Sequence, residues 1–278
     1  MGLIAAVLAL SLAGVAQDSS PSVATITIHG AIGPATADYL KRATDVAAEM
    51  KAECLIVNLD TPGGLLESTK TIVQDIYASP VPVVVYVQPA GATATSAGCF
   101  ITLASHVAAM TPGTSIGAAH PVMAGGGEPD ETMKEKMANF AVSFIESIAK
   151  KRGRNVEWAA ESVRESASIT AEKALELQVI EIVAEDLPGL LIQLDGRTVD
   201  GRTLATRDAS VNEIPMLTRE RVFQMLWRPE VMFILMLIAV YGIIGELSNP
   251  GAILPGVIGA IALVLALYLG AILPVNIA

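Results

Sequence analysis

The sequence predicts an α/β domain followed by membrane-spanning helices, and three observations carry that prediction. Short, continuously apolar strands at residues 55–59 and 83–87 alternate with helical patterns, as in a parallel sheet that is buried on both faces. A glycine-rich segment follows each of these strands. Two long apolar stretches, residues 231–247 and 251–278, come last, and each reaches the length of about 17 residues that a bilayer span requires.

The composition agrees with a membrane-associated protein and argues against nucleic acid as a partner. The 278-residue chain has a formal net charge of −10, whereas a nucleic-acid-binding protein needs a basic face. Only 17% of the residues are charged, which is low for a soluble domain. Cys54 and Cys99 lie in apolar surroundings, and no metal-ligand spacing involves them or the three histidines. We therefore expect no metal and no other cofactor.

The chain divides into four predicted segments. Residues 1–16 are apolar and end in small residues, which indicates a signal peptide cleaved after residue 16, or alternatively an N-terminal anchor helix. Residues 17–190 form the α/β domain, and residues 191–229 form a polar appendage and membrane-proximal linker. Residues 230–278 form a two-helix transmembrane hairpin that turns at an Asn-Pro-Gly sequence.

The topology has two opposing signals. Arg219, Arg221 and Arg228 precede the first span, which favours a cytoplasmic domain by the positive-inside rule. A signal peptide would instead export the domain. Because large domains cross membranes largely regardless of charge, we give the signal more weight and expect an extracytoplasmic domain on a multi-pass protein of the cell membrane.

Apolar periodicity and turn residues predict the elements of the α/β domain. Thr132 is the expected N-cap of one helix, with Glu135 completing a capping box. The glycines before it, in residues 125–131, predict a mobile lid, and Asp-Gly pairs at 195–196 and 200–201 predict hairpin turns. In order, the predicted elements are strand 23–28, helix 35–51, strand 55–59, helix 66–77, strand 83–87, a helix after Ser96, strand 107–110, a loop or strand at 114–122, a helix from 132 to about 151, helices 156–164 and 171–178, and strand 179–183.

Two glycine-flanked segments carry the chemistry. Residues 60–64 (DTPGG) offer backbone N–H groups without side chains in the way, and residues 91–98 (GATATSAG) place the Ser96 hydroxyl between a strand and a helix start. A hydroxyl nucleophile beside main-chain donors for an oxyanion is the arrangement that acyl transfer needs. The sequence therefore predicts a serine hydrolase.

The base that activates Ser96 has two candidate types. Among the histidines, His120 in its loop is a better candidate than His106, but no aspartate is placed to orient either one. A lysine base must be neutral at working pH, and lowering its pKa by three units costs about 4 kcal/mol. Lys134 and Lys136 both lie in the first turns of an apolar-lined helix, and helical spacing does not choose between them.

Seven short stretches fit one known family: residues 59–66 (LDTPGGLL), 91–98 (GATATSAG), 104–110 (ASHVAAM), 117–122 (GAAHPV), 153–155 (GRN), 170–175 (TAEKAL) and 246–251 (ELSNPG). On these stretches, residues 23–184 resemble the N-terminal protease domain of the membrane-bound NfeD family, relatives of the Clp protease and signal peptide peptidase class. The resemblance implies a Clp/crotonase-like ββα superhelix and a Ser-Lys dyad, with the serine at Ser96 and the lysine at Lys136. It places the N–H groups of Gly64 and Ala97 at the oxyanion, with Gly63 in the same substrate-binding turn.

The same resemblance implies a peptide substrate, namely apolar segments of stomatin-like membrane proteins, and a homo-oligomer. Long members of the family continue into further membrane helices and a small β-barrel, so we expect the natural protein to be longer. Two other hypotheses remain. A crotonase acting on acyl-CoA would need a basic patch for the CoA phosphates, which the sequence lacks, and a catalytically silent scaffold could bind a stomatin-like partner without cleaving it.

Overall fold

The structure, a computed structural model, describes residues 21–122, 130–226, 228–248 and 253–272. The predicted signal peptide and most of the predicted lid lie outside these residues. The strands are β1 Ser22–His29, β2 Leu55–Asp60, β3 Val83–Val87, β4 Thr93–Thr95, β5 Val107–Met110, β6 Ser115–Gly117, β7 Ser168–Thr170, β8 Ile182–Val183, β9 Thr198–Val199, β10 Arg202–Thr203 and β11 Ser210–Glu213. The helices are α1 Pro34–Glu49, α2 Leu66–Ala78, α3 Ala97–Ala104, α4 Glu131–Arg152, α5 Val156–Arg164, α6 Ala171–Glu176, α7 Leu187–Leu194, α8 Thr218–Leu226, α9 Pro229–Ser248 and α10 Ile253–Ile272.

A six-stranded parallel sheet in the order β11-β1-β2-β3-β5-β8 forms the centre of the domain. Every residue of β3 is buried, as its continuous apolar sequence predicts for an inner strand covered on both faces. A smaller sheet of β4, β6 and β7 lies next to it, and isolated bridges join residue 61 to β4 and residue 32 to residue 64. The α/β class with a parallel sheet and apolar C-terminal helices is confirmed.

Several local predictions need correction. Asp130, not Thr132, is the N-cap of α4, because its carboxylate accepts the Thr132 N–H at 2.9 Å. The Asp-Gly pair at 200–201 does turn a hairpin, between β9 and β10, whereas Asp195 is the C-cap of α7. The polar segment after residue 190 supplies β11, which extends the central sheet beside β1.

The C-terminal helices α9 and α10 pack against each other. Within the described residues, Glu230–Ser248 is the one helix long and apolar enough to cross a membrane, and the apolar part of α10, Ile253–Leu269, is shorter. The contact relies on glycine, since a Cβ on Gly242 would lie 2.8 Å from the Gly259 Cα. Small residues at such a crossing let two helix backbones approach closely.

Candidate active site

Ser96 has an unusual backbone at the junction of β4 and α3. Its φ of 53° and ψ of −112° place a non-glycine residue in a sparsely populated region, where strain is stored when the surroundings hold it. Its N–H donates to the Gly117 carbonyl at 3.0 Å, and its carbonyl accepts the Cys99 N–H at 2.9 Å. These bonds hold Ser96 at the amino end of α3, where its hydroxyl projects from a sharp turn.

Gly63 lies directly against the Ser96 side chain. A Cβ on Gly63 would lie 2.7 Å from the Ser96 Cβ and 3.1 Å from its Oγ, and the φ of Gly63 is +124°. Its N–H donates to the Thr61 hydroxyl at 3.0 Å, so that amide is already engaged. Gly63 therefore contributes space beside the serine rather than a free donor.

Gly64 and Ala97 directly follow Gly63 and Ser96 in the sequence, and their N–H groups are the candidate oxyanion donors. Within the described part of the chain, neither of these two amides donates to another protein group. The Gly64 segment is held from its other side, because the Leu65 N–H donates to the Ile32 carbonyl at 2.9 Å. A Cβ on Gly64 would collide with the backbone of Ile32. Main-chain donors without a protein partner among the described residues, next in sequence to Gly63 and Ser96, are the kind of groups that an oxyanion requires.

Backbone hydrogen bonds join the two glycine-flanked segments. The Thr61 N–H donates to the Thr93 carbonyl at 2.8 Å, and the Thr95 N–H donates to the Thr61 carbonyl at 3.1 Å. Gly98 allows α3 to pack here, since a Cβ on it would lie 2.6 Å from the Thr61 Cγ2. The buried Thr61 thus connects the glycine turn to the serine segment, a role that sequence analysis missed.

The structure does not bring a lysine into hydrogen-bond contact with Ser96. Lys136 is exposed near the start of α4, and within the described residues its amine makes no hydrogen bond or ion pair. Lys134 pairs with Glu131 at 3.0 Å.

The amino ends of α3 and α4, near which Ser96 and Lys136 lie, are at the same end of the packed helix pair. Phe144 stacks on Phe100 with ring centroids 5.5 Å apart, and the Arg152 Nε donates to the Ala104 carbonyl at 2.7 Å. Because both contacts advance in the same direction along the two helices, α3 and α4 run parallel. Phe140, four residues after Lys136, stacks on Phe144 with centroids 6.0 Å apart. Helical spacing, however, places the exposed Lys136 on the opposite side of α4 from the buried Ile145.

The histidines have other partners. The His106 Nδ1 accepts the Val83 N–H at 3.1 Å while its Nε2 lies 2.9 Å from Asp200, and burial lowers the pKa of His106 to about 4. The Nδ1 of His120 lies 2.9 Å from the Val163 carbonyl oxygen. Within the described residues neither histidine contacts Ser96, so the geometry gives a Ser-His-Asp triad no support. His29 instead pairs with Asp60 at 3.0 Å.

Among the residues that the structure describes, there is no metal-binding cluster of three or more histidine, cysteine, aspartate or glutamate side chains. Cys54 and Cys99 are buried, and burial raises the pKa of each thiol to about 12.

Comparison with known protein families shows which family the chain belongs to. Residues 22–189 match the N-terminal domain of NfeD1b, and residues 230–278 match the NfeD integral membrane domain. The chain belongs to the NfeD family. Its two matched parts coincide with the α/β domain and the apolar helices, and the second marks this NfeD protein as membrane-associated.

Similar proteins include a protease of known structure. The membrane-bound protease PH1510 of Pyrococcus horikoshii is 36% identical over 249 residues, a match that covers 86% of this chain and 56% of that protein. The chain thus spans a little over half the length of this curated relative.

Two solved structures resemble the domain. One is a lysine-to-alanine mutant of 1510-N, a membrane-bound stomatin-specific protease, in complex with a substrate peptide; it has a TM-score of 0.69, is 35% identical, and the match covers 75% of this chain and 98% of that one. The other is a serine-to-alanine mutant of the same protease, with a TM-score of 0.66, 37% identity and coverage of 71% and 99%.

Proposed function

We propose that this NfeD protein is a membrane-anchored serine endopeptidase with Ser96 as its nucleophile. The observation that carries the proposal is the position of Ser96 on a strained turn, packed against Gly63, with the amides of the next residues, Gly64 and Ala97, making no hydrogen bond within the described part of the chain. A serine with a merely structural role does not require such a backbone or such a neighbour.

In the proposed reaction the Ser96 Oγ attacks the scissile carbonyl carbon while the Lys136 amine accepts the hydroxyl proton. The N–H groups of Gly64 and Ala97 donate to the oxyanion that forms. Lys136 then gives the proton to the leaving amine as the C–N bond breaks, and water hydrolyses the acyl-enzyme. Each oxyanion donor is worth about 3–4 kcal/mol in comparable enzymes.

Two observations support Lys136 over Lys134 as the base. The lysine and the serine substituted in 1510-N are one residue further apart than Ser96 and Lys136, and three residues further apart than Ser96 and Lys134. Lys136 is also unpaired among the described residues, whereas Lys134 is engaged with Glu131. In this proposal the Lys136 amine reaches Ser96 when substrate or a neighbouring copy occupies the site.

We further propose apolar segments of stomatin-like membrane proteins as substrates. The support is that 1510-N is named as stomatin-specific and that α9 would hold the domain beside the bilayer. A multi-pass membrane domain, an extracytoplasmic protease domain and a homo-oligomer complete the proposal.

The test compares Ser96→Ala with Ser115→Ala in the full chain, since Ser115 lies on the neighbouring strand β6. Cleavage of a peptide carrying an apolar stomatin-like segment is followed by mass spectrometry. A fluorophosphonate label is applied to the wild type and to both variants, and its position is mapped on the wild type. We expect cleavage and labelling to disappear only in Ser96→Ala. Persistent cleavage in that variant, or labelling at another serine, would remove Ser96 from the role.

The exposed position of Lys136 favours a second candidate, a scaffold that binds a stomatin-like protein without cutting it. This candidate predicts that the wild type and Ser96→Ala bind the partner equally and that neither cleaves it. Any Ser96-dependent cleavage contradicts it.

A further inference from the structure

Helix α8 joins the domain to the membrane helix α9, and polar contacts fix one of its faces to the domain. The buried Glu220 carboxylate accepts from Arg42 Nε and Nη2, each at 2.8 Å, and also caps the Leu217 N–H at 2.8 Å. The hydrogen bonds from Arg42 hold the pKa of Glu220 below its usual range. One helical turn later, Gln224 Nε2 donates to the Ala31 carbonyl at 2.8 Å. The inner face of α8 is therefore held in a defined orientation.

The outer face of α8 is apolar at its centre and basic at its edges. With about 3.6 residues per turn, Val222 and Met225 lie opposite Glu220, and their side chains are 48% and 58% exposed. Arg221 borders this strip on one side, and Arg219 borders it on the other; both are exposed. Apolar side chains bordered by arginines are typical of helices that lie in a membrane interface.

The charge of this segment is the reverse of that of the whole protein. The chain has a net charge of −10, yet Arg219, Arg221 and Arg228 fall within one short segment. Its acidic residue, Glu220, is buried and already paired with Arg42. The exposed charge of the outer face is consequently positive, which matches the phosphates of anionic lipids.

Continuity with α9 would keep α8 close to the bilayer. The Met232 N–H donates to the Arg228 carbonyl at 3.0 Å, and the candidate span begins at Glu230. We propose that α8 lies on the surface of an anionic membrane, with Val222 and Met225 at the acyl boundary and with Arg219, Arg221 and Arg228 on lipid phosphates.

Lipid contact at α8 would orient the glycine turn. Gln224 holds the Ala31 carbonyl, and the next residue, Ile32, donates its N–H to the Gly63 carbonyl at 2.8 Å. Only two residues therefore separate the interfacial helix from the turn beside Ser96. This consequence for catalysis rests on the proposed protease function, whereas the lipid contact itself does not.

The first test measures membrane depth without using activity. Met225→Cys and Leu175→Cys are each labelled with bimane in the full chain and reconstituted in vesicles that contain brominated lipids. Cys54 and Cys99 are buried, so the introduced thiol takes the label. Leu175 is an exposed apolar control on α6, at the opposite edge of the central sheet from β11.

We expect bromolipid quenching at residue 225 to exceed that at residue 175 by severalfold. Equal quenching at the two positions would overturn the proposal. Disulfide cross-linking between copies at residue 225 without bromolipid quenching would also overturn it, because a second copy would then cover the face.

The second test addresses the arginines. Quenching at residue 225 is compared between phosphatidylcholine vesicles and vesicles containing phosphatidylglycerol, with and without Arg219→Gln and Arg221→Gln. Each arginine near an anionic surface contributes about 1 kcal/mol, a factor of about five in local partitioning. We expect stronger quenching with the anionic lipid and loss of that difference in the double variant. An absence of any lipid dependence in the parent protein would overturn the anionic-lipid assignment.

Discussion

Gly63 and Ser96, distant in sequence, are in direct van der Waals contact, and a Cβ on Gly63 would lie 2.7 Å from the Ser96 Cβ. The contact depends on two turns that are joined through Thr61 and β4. The nucleophile candidate and the glycine turn are thus one packed unit, and a change in either residue should alter the position of the other.

Gly63→Ala should lower the rate of peptide cleavage strongly and the stability of the fold only modestly. The added methyl would displace Ser96, and a displacement of about 1 Å at a reacting group can lower the rate about 100-fold. The positive φ of Gly63 adds about 1–2 kcal/mol of strain. Peptide cleavage and thermal unfolding measure the two effects.

Gly91→Ala is the matched control, because Gly91 has a φ of +91° and a Cβ there would meet nothing within 4 Å. It should incur similar backbone strain while retaining most of the cleavage activity. Equal losses of activity in both variants would show that backbone strain alone, and not contact with Ser96, explains the effect of Gly63→Ala.

Lys136→Ala should lower the cleavage rate about 10²–10⁴-fold, the usual contribution of a general base. Lys134→Ala should have little effect, since it removes only an exposed pair with Glu131. Single-turnover cleavage of the same peptide compares the two variants. A larger loss in Lys134→Ala would reverse the assignment of the base.

Thr61→Val should destabilise the domain and slow cleavage. It leaves the Gly63 N–H without its hydroxyl acceptor in a buried place, which costs about 1–3 kcal/mol. The free energy of unfolding and the cleavage rate are the two measurements.

Thr102→Val should not destabilise the domain as Thr61→Val does. The buried Thr102 hydroxyl has no hydrogen-bond partner among the described residues, so Thr102→Val should be neutral or stabilising by up to about 1 kcal/mol. Destabilisation by Thr102→Val equal to that by Thr61→Val would contradict the role assigned to the Thr61 hydroxyl.

The free energy of unfolding should fall as the pH is lowered, because His106 is buried in its neutral form. Burial lowers the pKa of His106 from 6.5 to about 4, so between these values the unfolded chain binds a proton that the folded domain excludes. The contribution of His106 is fully present above the unfolded pKa and is lost as the pH falls towards about 4. From about pH 7 to about pH 5 the loss should be about 2 kcal/mol.

His106→Asn keeps an acceptor for the Val83 N–H and removes the titrating group. Its free energy of unfolding should therefore depend less on pH over this interval than that of the wild type. Parallel pH profiles for the two proteins would show that another group carries the acid sensitivity.

Local sequence patterns were sufficient to predict the class of the domain and the segment that carries the candidate nucleophile. Continuous apolar strands such as β3 indicate burial on both faces, and an uninterrupted apolar run such as α9 indicates a span, because each signal is contained within one segment. The position of Ser96 between a strand and a helix start is equally local and agrees with the structure.

Tertiary structure alone decided which groups meet. The Gly63 N–H donates to the Thr61 hydroxyl, and the Ser96 N–H donates to the Gly117 carbonyl. Helix α8 contacts Arg42 and Ala31. These contacts depend on how the segments pack in the fold. A sequence pattern records the preference of each segment for a face or a turn, but contacts across the fold follow from strand order and helix packing. For that reason a free donor and an engaged one could not be told apart before the fold was known.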